Sequence, residues 1–292
     1  MLIEIFSIIA PVFVCAILGY TWVRTGHAFE TPFVSKLVTN IGAPCLIFST
    51  FMEIEISREA FTEMMGAAFI TMVIFGVVGY LALNAFKLNQ QAFLPSQIFP
   101  NVGNMGLPLC LLAFGEEGLA LGLTYFTVNI VFGFTLGLSI SSGSMSFKSL
   151  FKNPMFYSVL ITVPLVFAGI KAPAWIQNTT ELLGGVTIPL MLVALGVSLG
   201  SFSISGLKRS IGLSILRLGT GFIVGVATAE VLGLEGAAKG ILIMQCSMPV
   251  AVFSYLFALR YNRQPADVAG TVVISTIISF VTLPALLWFV LP

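Results

Sequence analysis

Long apolar runs, separated by short polar stretches, recur along the whole chain. Cutting the sequence at its charges and turn residues leaves ten apolar segments, each close to the roughly 20 residues that a helix needs to cross a bilayer. We number these segments spans 1 to 10: residues 2–23, 31–51, 60–86, 90–114, 118–140, 154–170, 176–200, 210–232, 236–260 and 266–290. The pattern predicts an all-α polytopic membrane protein with ten transmembrane helices, the first of which is retained rather than cleaved as a signal peptide.

Composition agrees with lipid as the solvent. Of 292 residues, 58% are hydrophobic and only 9% are charged, whereas a soluble domain carries about 25% charged residues. The net charge of +1 gives no reason to expect a nucleic-acid partner. Membrane lipid is the expected surrounding of this chain.

Basic residues in the connections between spans predict the orientation. Odd-numbered connections carry nine of them: Arg24, Lys36, Lys87, Lys148, Lys152, Lys208, Arg209, Arg260 and Arg263. Even-numbered connections carry three: Arg58, Lys171 and Lys239. Since Lys and Arg prefer the cytoplasmic side, the odd connections are predicted inside and both termini outside the cytoplasm, in the cell (inner or plasma) membrane. Acidic residues, including Glu55, are biased towards the opposite side, which agrees with this orientation.

Prolines indicate an internal duplication. Pro11, Pro44 and Pro100 in spans 1, 2 and 4 match three prolines at nearly the same offset in spans 6, 7 and 9, namely Pro164, Pro189 and Pro249. With five spans in each half, the second half enters the membrane in the opposite orientation. The chain is therefore predicted to consist of two inverted five-helix repeats, residues 1–140 and 154–292, a common plan of secondary carriers.

Spans 4 and 9 are predicted to be broken helices. Pro100 and Pro249 lie near the middle of these spans, where a proline removes a hydrogen bond and clashes with the preceding turn. Packing alone explains many kinking prolines in membrane helices, and that alternative applies to each helix taken singly. Two such prolines at matching repeat positions, each flanked by amide or hydroxyl side chains, favour a functional break.

A break in the membrane creates a new helix start, whose free N–H groups and partial positive charge attract an anion. The expected donors are the amides of Val102, Gly103, Asn104, Ala251 and Val252. Side chains placed to bind the anion or a cation are Gln97, Asn101, Asn104, Gln245 and Ser247. Weaker candidates are Asn129, Asn40 and Thr187, for which interhelical hydrogen bonding is an equal alternative.

Ionisable residues restrict the mechanism. No Asp or Glu lies near the middle of a span, which argues against a central carboxylate proton relay. Arg217 in span 8 is either a charge that attracts substrate or an anchor that reaches the cytoplasmic surface. Because His27 is the only histidine and Asp267 the only aspartate, neither a metal site nor an aspartyl dyad can be assembled, and an intramembrane enzyme is not expected.

Motifs at both breaks resemble one transporter family. Span 4 contains Phe99-Pro-Asn-Val-Gly-Asn-Met-Gly-Leu-Pro-Leu109, and span 9 with its sequel contains Met248-Pro-Val-Ala-Val and Tyr261-Asn-Arg-Gln-Pro265. Ala43-Pro-Cys-Leu-Ile-Phe in span 2 and Ile188-Pro-Leu-Met-Leu-Val-Ala-Leu-Gly196 in span 7 extend the similarity. In this order, the motifs resemble the auxin efflux carrier family, in its compact prokaryotic type, within the bile/arsenite/riboflavin transporter superfamily.

The resemblance implies a fold and a mechanism. Spans 1, 2, 6 and 7 would form a scaffold that commonly dimerises, and spans 3–5 and 8–10 a transport domain that moves against it like an elevator. Helices 4 and 9 would cross at Pro100 and Pro249, with Asn101 in contact with substrate. Val250 stands where plant members often carry Gln after the second proline, which puts auxin itself in doubt.

The expected function is secondary active transport of a small organic anion. The resemblance implies a dicarboxylate such as malate or malonate, or an aromatic (indole) carboxylate. No cofactor is expected, and the coupling ion, H⁺ or Na⁺, stays open. The alternatives are a sodium-coupled symporter of the bile-acid transporter type and, from other classes, a channel or a receptor-like binding protein.

Overall fold

The computed structural model describes residues 2–53, 57–144, 151, 154–202 and 206–291. Within them the α-helices are α1 Leu2–Arg24, α2 Thr31–Leu37, α3 Ala43–Glu53, α4 Arg58–Ala85, α5 Gln90–Ile98, α6 Leu107–Phe132, α7 Leu138–Ser142, α8 Pro154–Phe167, α9 Ala174–Gly185, α10 Thr187–Ser201, α11 Leu207–Val231, α12 Gly236–Cys246, α13 Val252–Arg260 and α14 Pro265–Val290. Val38–Gly42, Val102–Gly106 and Gly133–Gly137 are π-helical. The described residues include no β-strand, only one isolated bridge. The all-α prediction is therefore confirmed for this part of the chain.

Seven helical segments among the described residues are long and apolar enough to cross a membrane. They are Leu2–Arg24, Thr31–Glu53, Arg58–Ala85, Val102–Ser142, Ala174–Ser201, Leu207–Val231 and Pro265–Val290. Large apolar side chains on their outer faces are exposed, as lipid-facing residues are: Ile3 in α1 and Val281 in α14 are 85% and 77% exposed. The chain thus has the character of a multi-pass membrane protein, while the count of ten transmembrane helices stays a prediction.

The seven segments and the ten predicted spans differ at spans 4, 5, 6 and 9. Span 9 is divided into α12 and α13, of 11 and 9 residues, and span 4 begins with the nine-residue α5. The rest of span 4 and span 5 form one segment that bends at Gly115, whose φ of 64° is easily adopted only by glycine. Span 6 corresponds to α8, which has only 14 residues.

Glycines allow α1 and α10 to pack backbone against backbone. A Cβ atom on Gly196 would lie 1.8 Å from the carbonyl oxygen of Ala16, and one on Gly19 would lie 2.0 Å from that of Val193. Such close approach through small residues is typical of helix pairs in membranes, where van der Waals packing drives association. Span 1 and the second part of span 7 are thereby fixed to each other.

The remaining helices pack around the two broken spans. Helix α3 lies against α8 and α9, α11 against α4, α12 and α14, and α6 against α4 and α12. The π-helical segment Val102–Gly106 contacts α10. Lys148, Lys152 and Glu55, which entered the orientation argument, lie outside the described residues.

Candidate functional site

The chain is non-helical around both Pro100 and Pro249, and the two breaks lie side by side. Helix α5 ends at Ile98 and helix α12 at Cys246. Across the gap, the N–H of Asn101 donates to the carbonyl of Pro249 at 2.7 Å, and the N–H of Ala251 donates to the carbonyl of Phe99 at 3.1 Å. These two bonds form an antiparallel bridge centred on Pro100 and Val250.

The bridge explains how proline is tolerated at this depth. Each freed backbone group needs a partner where water is excluded. Pro100 has no N–H, and its position at the centre of the bridge requires none from it. The N–H of Val250 opposite donates to Oγ of Ser275 in α14 at 3.1 Å. The two breaks therefore supply partners to each other, and a hydroxyl from a third helix supplies another.

A new helix start follows each break, and both starts line one cavity. Val102, Gly103 and Asn104 line it from the first start, and Ala251, Val252 and Phe253 line it from the second. The first residues of a helix have no intrahelical acceptor for their N–H groups, so these donors are available at the cavity wall. The amide of Ala251 is different: it is already bonded to Phe99, which leaves the next residues of α13 as donors.

The cavity has a volume of about 160 Å³ and is mostly apolar. Apolar side chains line it in two groups. The first group, from α2, the π-helical segment Val38–Gly42 and α10, is Val34, Val38, Leu190, Met191 and Ala194. The second group, from α6, the π-helical segment Gly133–Gly137 and α13, is Phe126, Ile130, Phe134, Phe253 and Leu256. The described residues that line it include no charged side chain. Polar side chains on its wall are Ser35, Thr39, Asn101, Asn104 and Asn129.

Two asparagines on the wall are buried with unused hydrogen-bonding groups. Asn101 is 4% exposed, and its Nδ2 has no hydrogen-bond partner among the described residues. Asn129 is 0% exposed, and both Nδ2 and Oδ1 lack a partner there. An unpartnered buried amide is costly, and at the cavity wall these groups are open to hydrogen bonds from a molecule inside it. Nδ2 of Asn101 and Nδ2 of Asn129 suit an anion, while Oδ1 of Asn129 suits a donor.

Replacing Asn129 with leucine should stabilise the protein and weaken ligand binding together. The substitution removes an unpartnered amide, and burial of such a group costs about 1–3 kcal/mol, so thermal unfolding in detergent should shift upwards. Affinity for an anion should fall because two polar groups leave the wall. A downward shift in unfolding temperature without ligand would contradict the unpartnered state of this amide.

The other predicted polar residues lie behind the breaks instead of on the cavity wall. Gln97 is 4% exposed, with Nε2 3.4 Å from Oγ of Ser96. Gln245 faces α6 and donates weakly to the carbonyl of Gly122 at 3.4 Å. The hydroxyl of Ser247 donates to Ile243 within its own helix at 2.7 Å. Val250 belongs to the bridge described above. Among the predicted site residues, Asn101, Asn104 and Pro100 line the cavity, as do the residues predicted to supply amide donors and the weaker candidate Asn129.

Arg217 lies deep in the protein, beside both breaks. Its side chain is 0% exposed, and its guanidinium lies over the ring of Phe75, with Cζ 4.2 Å from the centroid. It does not line the cavity. Of the weaker candidates, Thr187 is buried, with an unpartnered Oγ1 facing the Gly42 region, and Asn40 is exposed.

Sequence reasoning missed the aromatic and thioether walls of the cavity and Ser275. Phe126, Phe253 and Met191 look like ordinary apolar residues of a span. Gly103 was one available signal: a Cβ atom there would lie 2.9 Å from both Met191 Cε and Phe126 Cε2. A glycine at a helix start thus marks where another helix approaches closely. Ser275 carried no signal of its partner.

Comparison with known proteins relates the chain to membrane transporters. The model of a family described as "Membrane transport protein" matches residues 4–145 and 139–287. An uncharacterized transporter of Methanocaldococcus jannaschii is 28% identical over 280 residues, which cover 88% of this chain and 89% of that protein. Another, from Methanothermobacter thermautotrophicus, is 26% identical over 298 residues, covering 97% and 96%.

Plant proteins match a smaller part. Auxin efflux carrier component 1 of Arabidopsis thaliana is 27% identical over 137 residues, 44% of this chain and 22% of that protein. The family resemblance predicted from the motifs at the breaks is thus confirmed. Since the family model covers nearly the whole sequence, the chain belongs to the membrane transport protein family, as a compact member related to the auxin efflux carriers.

Proposed function

We propose that this protein is a secondary active transporter of small organic anions. The observation that carries the proposal is the meeting of two helix starts at one cavity, together with the unpartnered Nδ2 of buried Asn101. Helix starts carry roughly half a positive charge each, and the described residues that line the cavity include no acidic side chain to repel an anion. Membership of a transporter family favours transport over catalysis at this site.

The substrate class follows from the two kinds of wall. Free N–H groups and asparagine amides bind one or more carboxylate oxygens. The apolar and aromatic surface around them takes a carbon skeleton. Dicarboxylates such as malate and malonate, and aromatic carboxylates such as an indole carboxylate, are the candidates that combine these features.

Elevator-type alternating access is the proposed mechanism. The cavity lies between α2 and α10 on one side and the two breaks on the other. In the proposed ten-helix fold of two inverted repeats, residues 1–140 and 154–292, helices α2 and α10 belong to a scaffold of spans 1, 2, 6 and 7. The breaks belong to a transport domain of spans 3–5 and 8–10. Helices α2 and α10 place apolar side chains at the cavity, such as Val34, Leu190 and Ala194. Because these side chains make no charged contact with the transport domain, they favour its sliding against the scaffold.

The cellular setting is proposed from the same reasoning. The protein would lie in the cell (inner or plasma) membrane as a homodimer formed by the scaffold, with both termini outside the cytoplasm. Small organic anion and membrane lipid would be its partners, and no cofactor would be required. Whether sodium takes part in binding is tested by the experiment that follows.

A thermal-shift screen of the purified protein tests the function. Malonate, malate, succinate, indole-3-acetate and a bile acid are each added with and without sodium. A ligand that binds only the folded state raises the unfolding temperature by mass action. Stabilisation by a carboxylate is expected. Stabilisation by the bile acid only, and only with sodium, would replace this proposal with a symporter of the bile-acid type.

A further inference from the structure

Arg217 bridges the two helix halves that precede the breaks. One terminal nitrogen, Nη1, donates to the carbonyl of Gln97 at 3.0 Å, and the other, Nη2, donates to the carbonyl of Cys246 at 2.6 Å. Gln97 is in the last turn of α5, and Cys246 is the last residue of α12. Carbonyls at a helix end have no intrahelical donor. A single guanidinium therefore caps the carboxyl ends of both broken helices.

The charge of Arg217 has no carboxylate partner among the described residues. Every described glutamate is exposed. Asp267 is half-buried and pairs with Arg209, in the first turn of α11, at 2.6 Å. A buried charge is stable only when it is paired or hydrogen-bonded. For Arg217 the compensation comes from helix carbonyls and the face of Phe75.

The charges around the paired breaks can be balanced. Each helix end carries roughly half an elementary charge, so the two carboxyl ends together approach −1 and are matched by the guanidinium. The two amino ends at the cavity together approach +1. Because Arg217 neutralises the two carboxyl ends, the positive charge of the two amino ends remains at the cavity. One carboxylate group matches that charge.

We propose that Arg217 is the positioning residue of the anion site: it fixes both breaks in register from behind and leaves their amino ends to bind one carboxylate. It acts through the helices, without touching the substrate. The inference rests on the proposed function and adds the source of its charge balance. The rigid planar fork of a guanidinium suits this role better than the rotating donors of an ammonium, because two carbonyls on separate helices are held at once in fixed directions.

The test compares charged and neutral ligands of the same shape. Binding of malonate and malonamide, and of indole-3-acetate and indole-3-acetamide, is measured by calorimetry on the purified full chain. The variants are Arg217→Gln and Arg217→Lys. Arg209→Gln serves as the matched control, since it makes the same change on the same helix at an exposed salt bridge.

In Arg217→Gln, affinity for the anion should fall at least about tenfold, a change of ~1.4 kcal/mol, while affinity for the amide changes little. Arg217→Lys should show a smaller loss with the same selectivity for the anion, and Arg209→Gln should bind as wild type does. A loss of affinity confined to the anion separates this role from a merely structural one, because a structural role would weaken the binding of both ligands.

Four results would overturn the inference. If Arg217→Gln folds and binds the anion with wild-type affinity, the charge-balance argument is refuted. If it loses equal affinity for the anion and the amide, the role of Arg217 is structural only. If Arg217→Gln does not fold, Arg217→Lys decides: a loss confined to the anion supports the proposal, and wild-type affinity refutes it. Failure of the wild-type protein to bind either anion refutes the proposed function itself, and this inference with it.

Discussion

Replacing Asn101 with alanine should weaken anion binding roughly ten- to hundredfold, the loss expected for a hydrogen bond to a charged group. The side-chain Nδ2 is buried at the cavity and has no partner among the described residues. Its removal therefore costs no bond in the empty protein. The backbone N–H that holds Pro249 remains in the variant, so the break itself should be preserved.

Two readings distinguish this effect from unfolding. The unfolding temperature of Asn101→Ala without ligand should equal or exceed that of the wild type, while its shift on adding malonate or indole-3-acetate disappears. Asn84→Ala, at the exposed end of α4, is the control and should keep the ligand-induced shift. Wild-type affinity in Asn101→Ala would remove Asn101 from the site.

Gly221→Ala should destabilise the protein by about 1–3 kcal/mol, the usual cost of overpacking. A Cβ atom on Gly221 would lie 2.2 Å from the carbonyl oxygen of Cys246. That carbonyl is the acceptor of Arg217, and α11 must shift away from α12 to relieve the clash. Anion affinity should fall with stability, because the second break is displaced. Thermal unfolding and calorimetry measure the two effects on the same sample.

Gly219→Ala provides the comparison within the same helix. Gly219 is exposed, and a Cβ atom there would meet nothing within 4 Å. Alanine is favoured over glycine in a helix by up to about 1 kcal/mol, so this variant should be as stable as the wild type or more so. Equal behaviour of the two alanine variants would show that α11 does not approach the second break as closely as described.

Local chemistry predicted the features that depend on the backbone alone. A proline in the middle of an apolar run kinks or breaks the helix. Helices α5 and α12 stop before Pro100 and Pro249, whereas α1 continues through Pro11. The residues that follow each proline then start a new helix. Asn101 and Asn104 are close enough along the chain to the first start to line the same cavity.

Features that depend on how helices rotate against each other were not predictable from the sequence. Gln97 and Gln245 have the chemistry of ligand-binding residues, yet both point away from the cavity because packing on neighbouring helices fixes the faces of α5 and α12. The partners of Arg217 are backbone carbonyls, which leave no trace in the choice of amino acid. Asn129, a weaker candidate from the sequence, is 28 positions after Asn101, and it lines the same wall in a segment that bends at Gly115.

Counterflow in proteoliposomes tests most directly whether this protein is an anion carrier with its site at the paired breaks. Vesicles are loaded with the unlabelled carboxylate that stabilises the protein most, and uptake of the same labelled compound is followed for the wild type and Asn101→Ala. The account predicts that internal substrate accelerates uptake by the wild type and not by the variant. Uptake that is indifferent to internal substrate, or equal in the two proteins, would contradict it.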